Sequence, residues 1–281
     1  MRNDIDNALS RREFGAASMA AGVVATAGAA QAGEATVQRA VQIKTPDGVT
    51  DAVLAAPKSG GPRPGVIWYP DALGLRPAML EMAARLASHG YAVLVVNQFY
   101  RLRPAPVWPA DLNFADPDQR AALMKAMASL SHDMLTHDAK AFVAFIDQQP
   151  EVSKTAKLGA VGLCMGGAMT IRAAAAAPDR VGAGVSFHGG GLVSDDPDSP
   201  HKLVAATKAA YHIGVAADDD EKQPDAKVKM QAALEAAGRP FTQEVYSAKH
   251  GWTVPDSPVY NEAQAERGWV AMLATYKQAL G

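Results

Sequence analysis

Leu158-Gly159-Ala160-Val161-Gly162-Leu163-Cys164-Met165-Gly166-Gly167 is the stretch that decides how this chain folds. Leu158 to Leu163 has the length and composition of a buried strand, and Gly166 to Ala177, closed by Pro178, that of a helix. Cys164 stands at the join, in a Gly-x-Cys-x-Gly turn. A residue in such a turn is held in a strained conformation, and neighbours without Cβ let strand and helix pass closely. The helix end beyond it offers free N–H groups and a positive dipole, which favour a thiolate and can hold an oxyanion. The position predicts a working thiol rather than inert packing.

Outward from this turn, strands alternate with helices. Val37 to Ile43 and Asp51 to Ala56 read as an antiparallel opening, and Pro64 to Tyr69 as an apolar strand. A helix runs from Pro77 to Gly90, because Met79, Met82, Ala83 and Leu86 recur at helical spacing. Tyr91 to Asn97 is a buried strand, Leu102 to Ala115 a Pro-rich loop, and Asp118 to Ser131 and Met134 to Asp147 are helices. Val181 to Phe187, Tyr211 to Ala216 and Phe241 to Tyr246 are strands, with helices from Pro224 to Ala237 and from Asn261 to Ala279. The alternation predicts an α/β fold with a largely parallel central sheet and helices on both faces. In such sheets ligand chemistry gathers at the C-terminal strand ends.

Two further strand ends carry reactive residues. Lys249-His250-Gly251-Trp252 follows the strand ending at Tyr246, and a histidine there is a natural general base. Of the seven histidines, His188, at a strand end before three glycines, is its competitor; His212 sits inside a strand as a core or edge residue. Asp218-Asp219-Asp220-Glu221 follows the strand ending at Ala216, and one carboxylate of the four orients the histidine while the others form surface loop. The chain order nucleophile, acid, histidine is that of α/β-hydrolases.

Composition narrows the function. With 27 Lys+Arg against 29 Asp+Glu and no basic run, nucleic acid is not the expected ligand. One cysteine forms neither an intramolecular disulfide nor a Cys-rich metal site. Ser10-Arg11-Arg12-Glu13-Phe14, the small apolar run Gly15 to Ala30, and Ala30-Gln31-Ala32 resemble a twin-arginine export signal cleaved near Ala32. The run is too short and too rich in Ala and Gly for a stable membrane anchor. Residues 33–281 are thus expected to be one domain, folded before passing transiently through the twin-arginine machinery to a bacterial periplasm.

From Val37 to the C-terminus the chain resembles the dienelactone hydrolase family, α/β-hydrolases with a Cys-Asp-His triad. Gly162-Leu163-Cys164-Met165-Gly166-Gly167 is similar to the family's nucleophile segment and Lys249-His250-Gly251-Trp252 to its histidine segment. The resemblance implies Cys164 as nucleophile and His250 as base. Counting from Gly214 implies Asp219 as the acid; counting back from Pro224 implies Asp220, and the strand register favours Asp219. Tyr69 to Pro77 resembles the segment that holds a glutamate near the thiol; Asp71 stands at that place, one methylene shorter. The same match implies an oxyanion hole of the Ala72 and Met165 N–H groups.

Arg101, in Phe99-Tyr100-Arg101, matches an arginine that binds a substrate carboxylate, and Trp252 is expected to line the substrate site. Val254 stands where a second such arginine lies in dienelactone hydrolase proper. The expected function is cleavage of a small-molecule ester or lactone through a thioester, without metal or organic cofactor. The other readings are a binding protein on the same fold and thiol redox chemistry, which lacks a resolving cysteine.

Overall fold

The computed structural model describes residues 33–109 and 111–281, so the stretch that resembles an export signal lies outside the described residues. Eight strands form one sheet: β1 (Thr36–Thr45), β2 (Gly48–Pro57), β3 (Gly65–Tyr69), β4 (Ala92–Val96), β5 (Leu158–Leu163), β6 (Val181–Phe187), β7 (Ala210–Ala216) and β8 (Phe241–Tyr246). Their order is β1-β2-β4-β3-β5-β6-β7-β8. β1 with β2 and β2 with β4 are antiparallel; every pair from β4 to β8 is parallel. The sequence reading of a largely parallel sheet with an antiparallel opening matches this architecture.

Every residue of β3, β4 and β5 is buried, which is why these strands read as unbroken apolar runs. Alternate residues serve opposite faces. Val66 and Trp68 pack with Met79, Leu86 and Trp269 on one side, whereas Ile67 and Tyr69 pack with Phe142, Ile146 and Met169 on the other. The first face is covered by α1 (Pro77–Ser88) and by α8 (Glu262–Ala279). The second is covered by α3 (His132–Asp147) and α4 (Met165–Ala176), with α7 (Pro224–Ala236) beside them.

The helix starts follow local chemistry. Pro77 and Pro224 open their helices, where a missing N–H costs nothing. Asp116 caps α2 (Pro117–Ala128), Ser131 caps α3 and Asn261 caps α8, each accepting a first-turn N–H. Two short helices depart from the sequence reading. α5 (Pro200–Leu203) lies in a stretch with no apolar period, and α6 (Ala217–Lys222) contains the acidic run expected to be loop. Three aspartates in the first turn of α6 are favoured by the positive end of its dipole. No helix among the described residues is long and apolar enough to cross a membrane.

The register of the parallel strands brings their C-terminal ends to one edge. Tyr69 lies opposite Gly162, Leu163 opposite Phe187, Phe187 opposite Gly214 and Ala216 opposite Tyr246. The segments after β3, β4, β5, β6, β7 and β8 therefore leave the sheet side by side.

Candidate active site

Cys164 leaves β5 with φ 54° and ψ −121°, a backbone conformation that L-residues avoid at a cost of about 1–3 kcal/mol. The surroundings hold it there. A Cβ on Gly162 would stand 1.9 Å from the Gly166 carbonyl oxygen, and one on Gly166 2.3 Å from that of Tyr69, so both contacts require glycine. The Cys164 N–H is shared between Phe187 O at 3.1 Å and His188 Nδ1 at 3.1 Å. The Cys164 carbonyl accepts from Gly167 N–H at 3.0 Å and Gly190 N–H at 3.1 Å. The side chain remains partly exposed.

His250 follows β8, and the acidic run after β7 meets it twice. Asp218 Oδ1 accepts the His250 backbone N–H at 2.8 Å, and Asp219 Oδ2 lies 2.6 Å from His250 Nδ1. Asp220 is directed elsewhere, to Lys227 Nζ at 2.6 Å. Asp219, counted from strand β7, is thus the carboxylate that reaches the ring. With Nδ1 taken, the ring presents Nε2 to the Cys164 sulfur. Burial alone would lower the His250 pKa; the hydrogen bonds to Asp219 and Cys164 override burial and push it up to about 10. The raised pKa favours the imidazolium form, which can stabilise a thiolate and give a proton to a departing oxygen.

His188, the competing base, is 1% exposed and stands 4.9 Å from His250, ring centre to ring centre. Its Nδ1 accepts from Cys164 N–H and its Nε2 lies 2.8 Å from Thr253 Oγ1. Burial first, and then the charge of His250, hold its pKa well below the usual histidine range. A neutral ring with Nδ1 accepting from Cys164 and Nε2 bonded to Thr253 braces the Cys164 turn, and neither nitrogen is free to act as base.

Ala72 lies in the turn after β3, and Met165 is the first residue of α4. Among the described residues neither backbone N–H has a protein acceptor. The site thus brings a thiol, an imidazole, a carboxylate and two unused backbone donors to one sheet edge.

Three residues assigned to the substrate from sequence stand elsewhere. Arg101 is committed to protein carboxylates: Nη1 reaches Asp138 Oδ2 at 2.7 Å, Nη2 Asp138 Oδ1 at 2.9 Å, and Nε Asp47 Oδ2 at 3.0 Å. Asp138 is 3% exposed, so this arginine neutralises a buried charge and has no free nitrogen for a ligand. Asp71 does not turn to the thiol. It forms a bidentate pair with Arg76 at 2.7 and 2.9 Å and accepts the Leu73 N–H at 2.9 Å. Arg76 also binds Asp256 at 2.8 and 2.9 Å, tying the turn after β3 to the loop after His250. Trp252 is fully buried, stacked on Tyr246 at 4.3 Å and edge-on to Phe187, and is core beneath His250.

Sequence reasoning missed Arg76, Gln98 and Trp108, whose bonds to this edge are all long-range or local-loop contacts without a motif. An apolar cavity of about 150 Å³, lined by Trp68, Met82, Phe187, Trp269 and Met272 among others, lies under α1 and α8; Cys164, Asp219 and His250 do not line it. His132, Asp196 and Asp198 form the one cluster among the described residues with metal-ligand spacing; it lies at the surface, at 3.7 Å ion-pair distances.

The chain matches the model of the Dienelactone hydrolase family over residues 50–280. It is 29% identical to a "Putative carboxymethylenebutenolidase" of Methylorubrum extorquens, covering 96% of this chain and 93% of that protein. It is 26% identical to the carboxymethylenebutenolidase of Pseudomonas putida, over 62% of this chain and 69% of that one. A crystal structure titled "Putative Dienelactone Hydrolase" from Klebsiella pneumoniae has the same fold, with a TM-score of 0.76 at 24% identity, over 87% of this chain and 100% of the other. With the family model spanning the sheet from β2 through α8, the chain belongs to the dienelactone hydrolase family and is a hydrolase of the α/β-hydrolase fold.

Proposed function

We propose that this hydrolase cleaves a carboxylic ester or lactone through a thioester on Cys164. The observation that carries this reading is the 2.6 Å bond between His250 Nδ1 and Asp219 Oδ2 beside the Cys164 thiol. Cys164 passes its proton to His250 Nε2, its sulfur attacks the carbonyl carbon, and the oxygen takes up the displaced electron pair between the Ala72 and Met165 N–H groups. The tetrahedral adduct collapses, the carbon–oxygen bond breaks, and His250 Nε2 protonates the departing alkoxide. The now neutral His250 takes a proton from water, the hydroxide attacks the thioester, and the acid product leaves with the thiolate restored.

The charges at the site support a substrate class. The curated relatives bear the name carboxymethylenebutenolidase, whose lactone substrate carries a carboxylate. Here Arg101 is saturated by Asp138 and Asp47, and Val254 is buried. We therefore read the acceptable substrate as a neutral ester or lactone. The twin-arginine-like Ser10-Arg11-Arg12-Glu13-Phe14 supports export to the periplasm, with processing near Ala32. The test is turnover of a neutral p-nitrophenyl ester before and after stoichiometric labelling of Cys164 with iodoacetamide. Loss of activity in step with labelling is expected; full activity of the fully alkylated protein would overturn the nucleophile assignment.

A further inference from the structure

We propose that Gln98 is a positioning residue for the oxyanion hole, locking the peptide plane that carries the Ala72 N–H. The inference rests on the reading of Ala72 as an oxyanion donor. Gln98 lies just past β4, next to β3 in the sheet, and is 2% exposed. Its Nε2 donates to Asp71 O at 2.8 Å and to Pro70 O at 3.2 Å, using both amide hydrogens. Its Oε1 is buried without a partner among the described residues. An interior glutamine that leaves its acceptor unmet is held in place for its donors.

The segment it grips is a turn with two peptide planes to control. Gly74 N–H donates to Asp71 O at 2.9 Å, closing a four-residue β-turn over Asp71, Ala72, Leu73 and Gly74. In a trans peptide the carbonyl and the following N–H point opposite ways. Holding Asp71 O with Gln98 and Gly74 therefore aims the Ala72 N–H to the other side, where among the described residues no protein group accepts it. The next plane is fixed as firmly. Trp108 Nε1 donates to Ala72 O at 3.0 Å, and Leu73 N–H on the opposite side donates to Asp71 Oδ1 at 2.9 Å. A flip of either peptide, the motion that interconverts turn types, would break at least two hydrogen bonds at once. The Pro-rich loop that carries Trp108 thus has a task at the site.

The consequence is a split between reactions at the same sulfur. Ester cleavage develops negative charge on oxygen and needs the hole; alkylation by iodoacetamide displaces iodide and develops none there. Gln98→Met keeps length and volume and removes both donors. It is expected to lower kcat on a neutral p-nitrophenyl ester about 10- to 100-fold, less than deleting a donor outright. KM and the rate of Cys164 alkylation should stay within about twofold of wild type, since uniform binding and thiol reactivity are untouched. Equal losses in turnover and alkylation would overturn the proposal, because Gln98 would then support the site only as structure. Unchanged turnover would overturn it too. If Gln98→Met does not fold, Trp108→Phe, which keeps one aromatic ring and deletes the Ala72 O donor, is read by the same split. Activity surviving full alkylation of wild type would instead indict the nucleophile itself.

Discussion

His188 Nδ1 accepts the backbone N–H of Cys164 at 3.1 Å, so this histidine is fastened to the main chain of the reactive residue. Its other nitrogen is tied to Thr253, in the loop that follows His250. His188→Phe should therefore lower the melting temperature and reduce kcat, with the pH–rate profile keeping its wild-type limbs. Disappearance of a limb in this variant would assign that titration to His188.

The raised pKa of His250 sets an alkaline limit. Asp219 and Cys164 keep the ring protonated until the pH passes about 10. Above that value no imidazolium remains to protonate a departing alkoxide. An alkyl ester should lose rate as pH rises through about 10, whereas p-nitrophenolate departs without a proton and its release should not fall there. Paired pH–rate profiles of the two esters make the comparison. Parallel alkaline limbs would contradict the acid role of His250.

Arg101, itself part-buried, pairs with the buried Asp138 at 2.7 Å, with Tyr100 Oη donating to the same carboxylate at 2.9 Å. Removing the cation leaves a buried charge unpaired, which costs about 3–5 kcal/mol. Arg101→Met should show this loss in a urea melt. Its ratio of kcat/KM for a monocarboxylate ester over the neutral analogue should equal that of wild type. A fall in that ratio would return Arg101 to the substrate site.

What could be read in the sequence was what local pattern determines. β3 to β7 were legible as apolar runs, and Cys164 and His250 because turn glycines and a strand end mark them. Asp219 is reached by counting from Gly214 under the family resemblance, against Asp220 counted back from Pro224, and the fold turns the Asp219 carboxylate to His250 Nδ1. The partners of Arg101 were not, because Asp47 and Asp138 are 54 and 37 positions away and only the fold brings them together. Trp252 read as a ligand contact because it follows the histidine; its stacking on Tyr246 depends on the packing of α8 against the sheet.

Two buried neutral histidines should make the protein labile to acid. Burial lowers the pKa of His188 far, with the charge of His250 adding to it, and burial brings His212 down to about 4. In the unfolded chain both titrate near ~6.5. Below that pH the unfolded state binds more protons, so their stabilisation is complete above pH ~6.5 and is lost as pH falls toward the folded values. His250, with its raised pKa, is protonated in both states below pH ~6.5 and leaves this slope unchanged. Its own contribution is lost as pH rises toward about 10. Urea midpoints between pH 7 and 5 should fall in wild type and fall less steeply in His212→Asn, by up to about 1.4 kcal/mol per pH unit. Equal slopes would show that His212 does not carry the titration.

Mass spectrometry of protein quenched in acid during turnover of a neutral p-nitrophenyl ester reads the covalent intermediate itself. An adduct of the acyl mass is expected on the peptide containing Cys164, stronger in Asp219→Asn, where slowed deacylation lets the thioester accumulate, and absent from Cys164→Ala, which should be inactive. Wild-type turnover by Cys164→Ala, or an acyl adduct on any other residue, would show that ester cleavage does not pass through a thioester on Cys164.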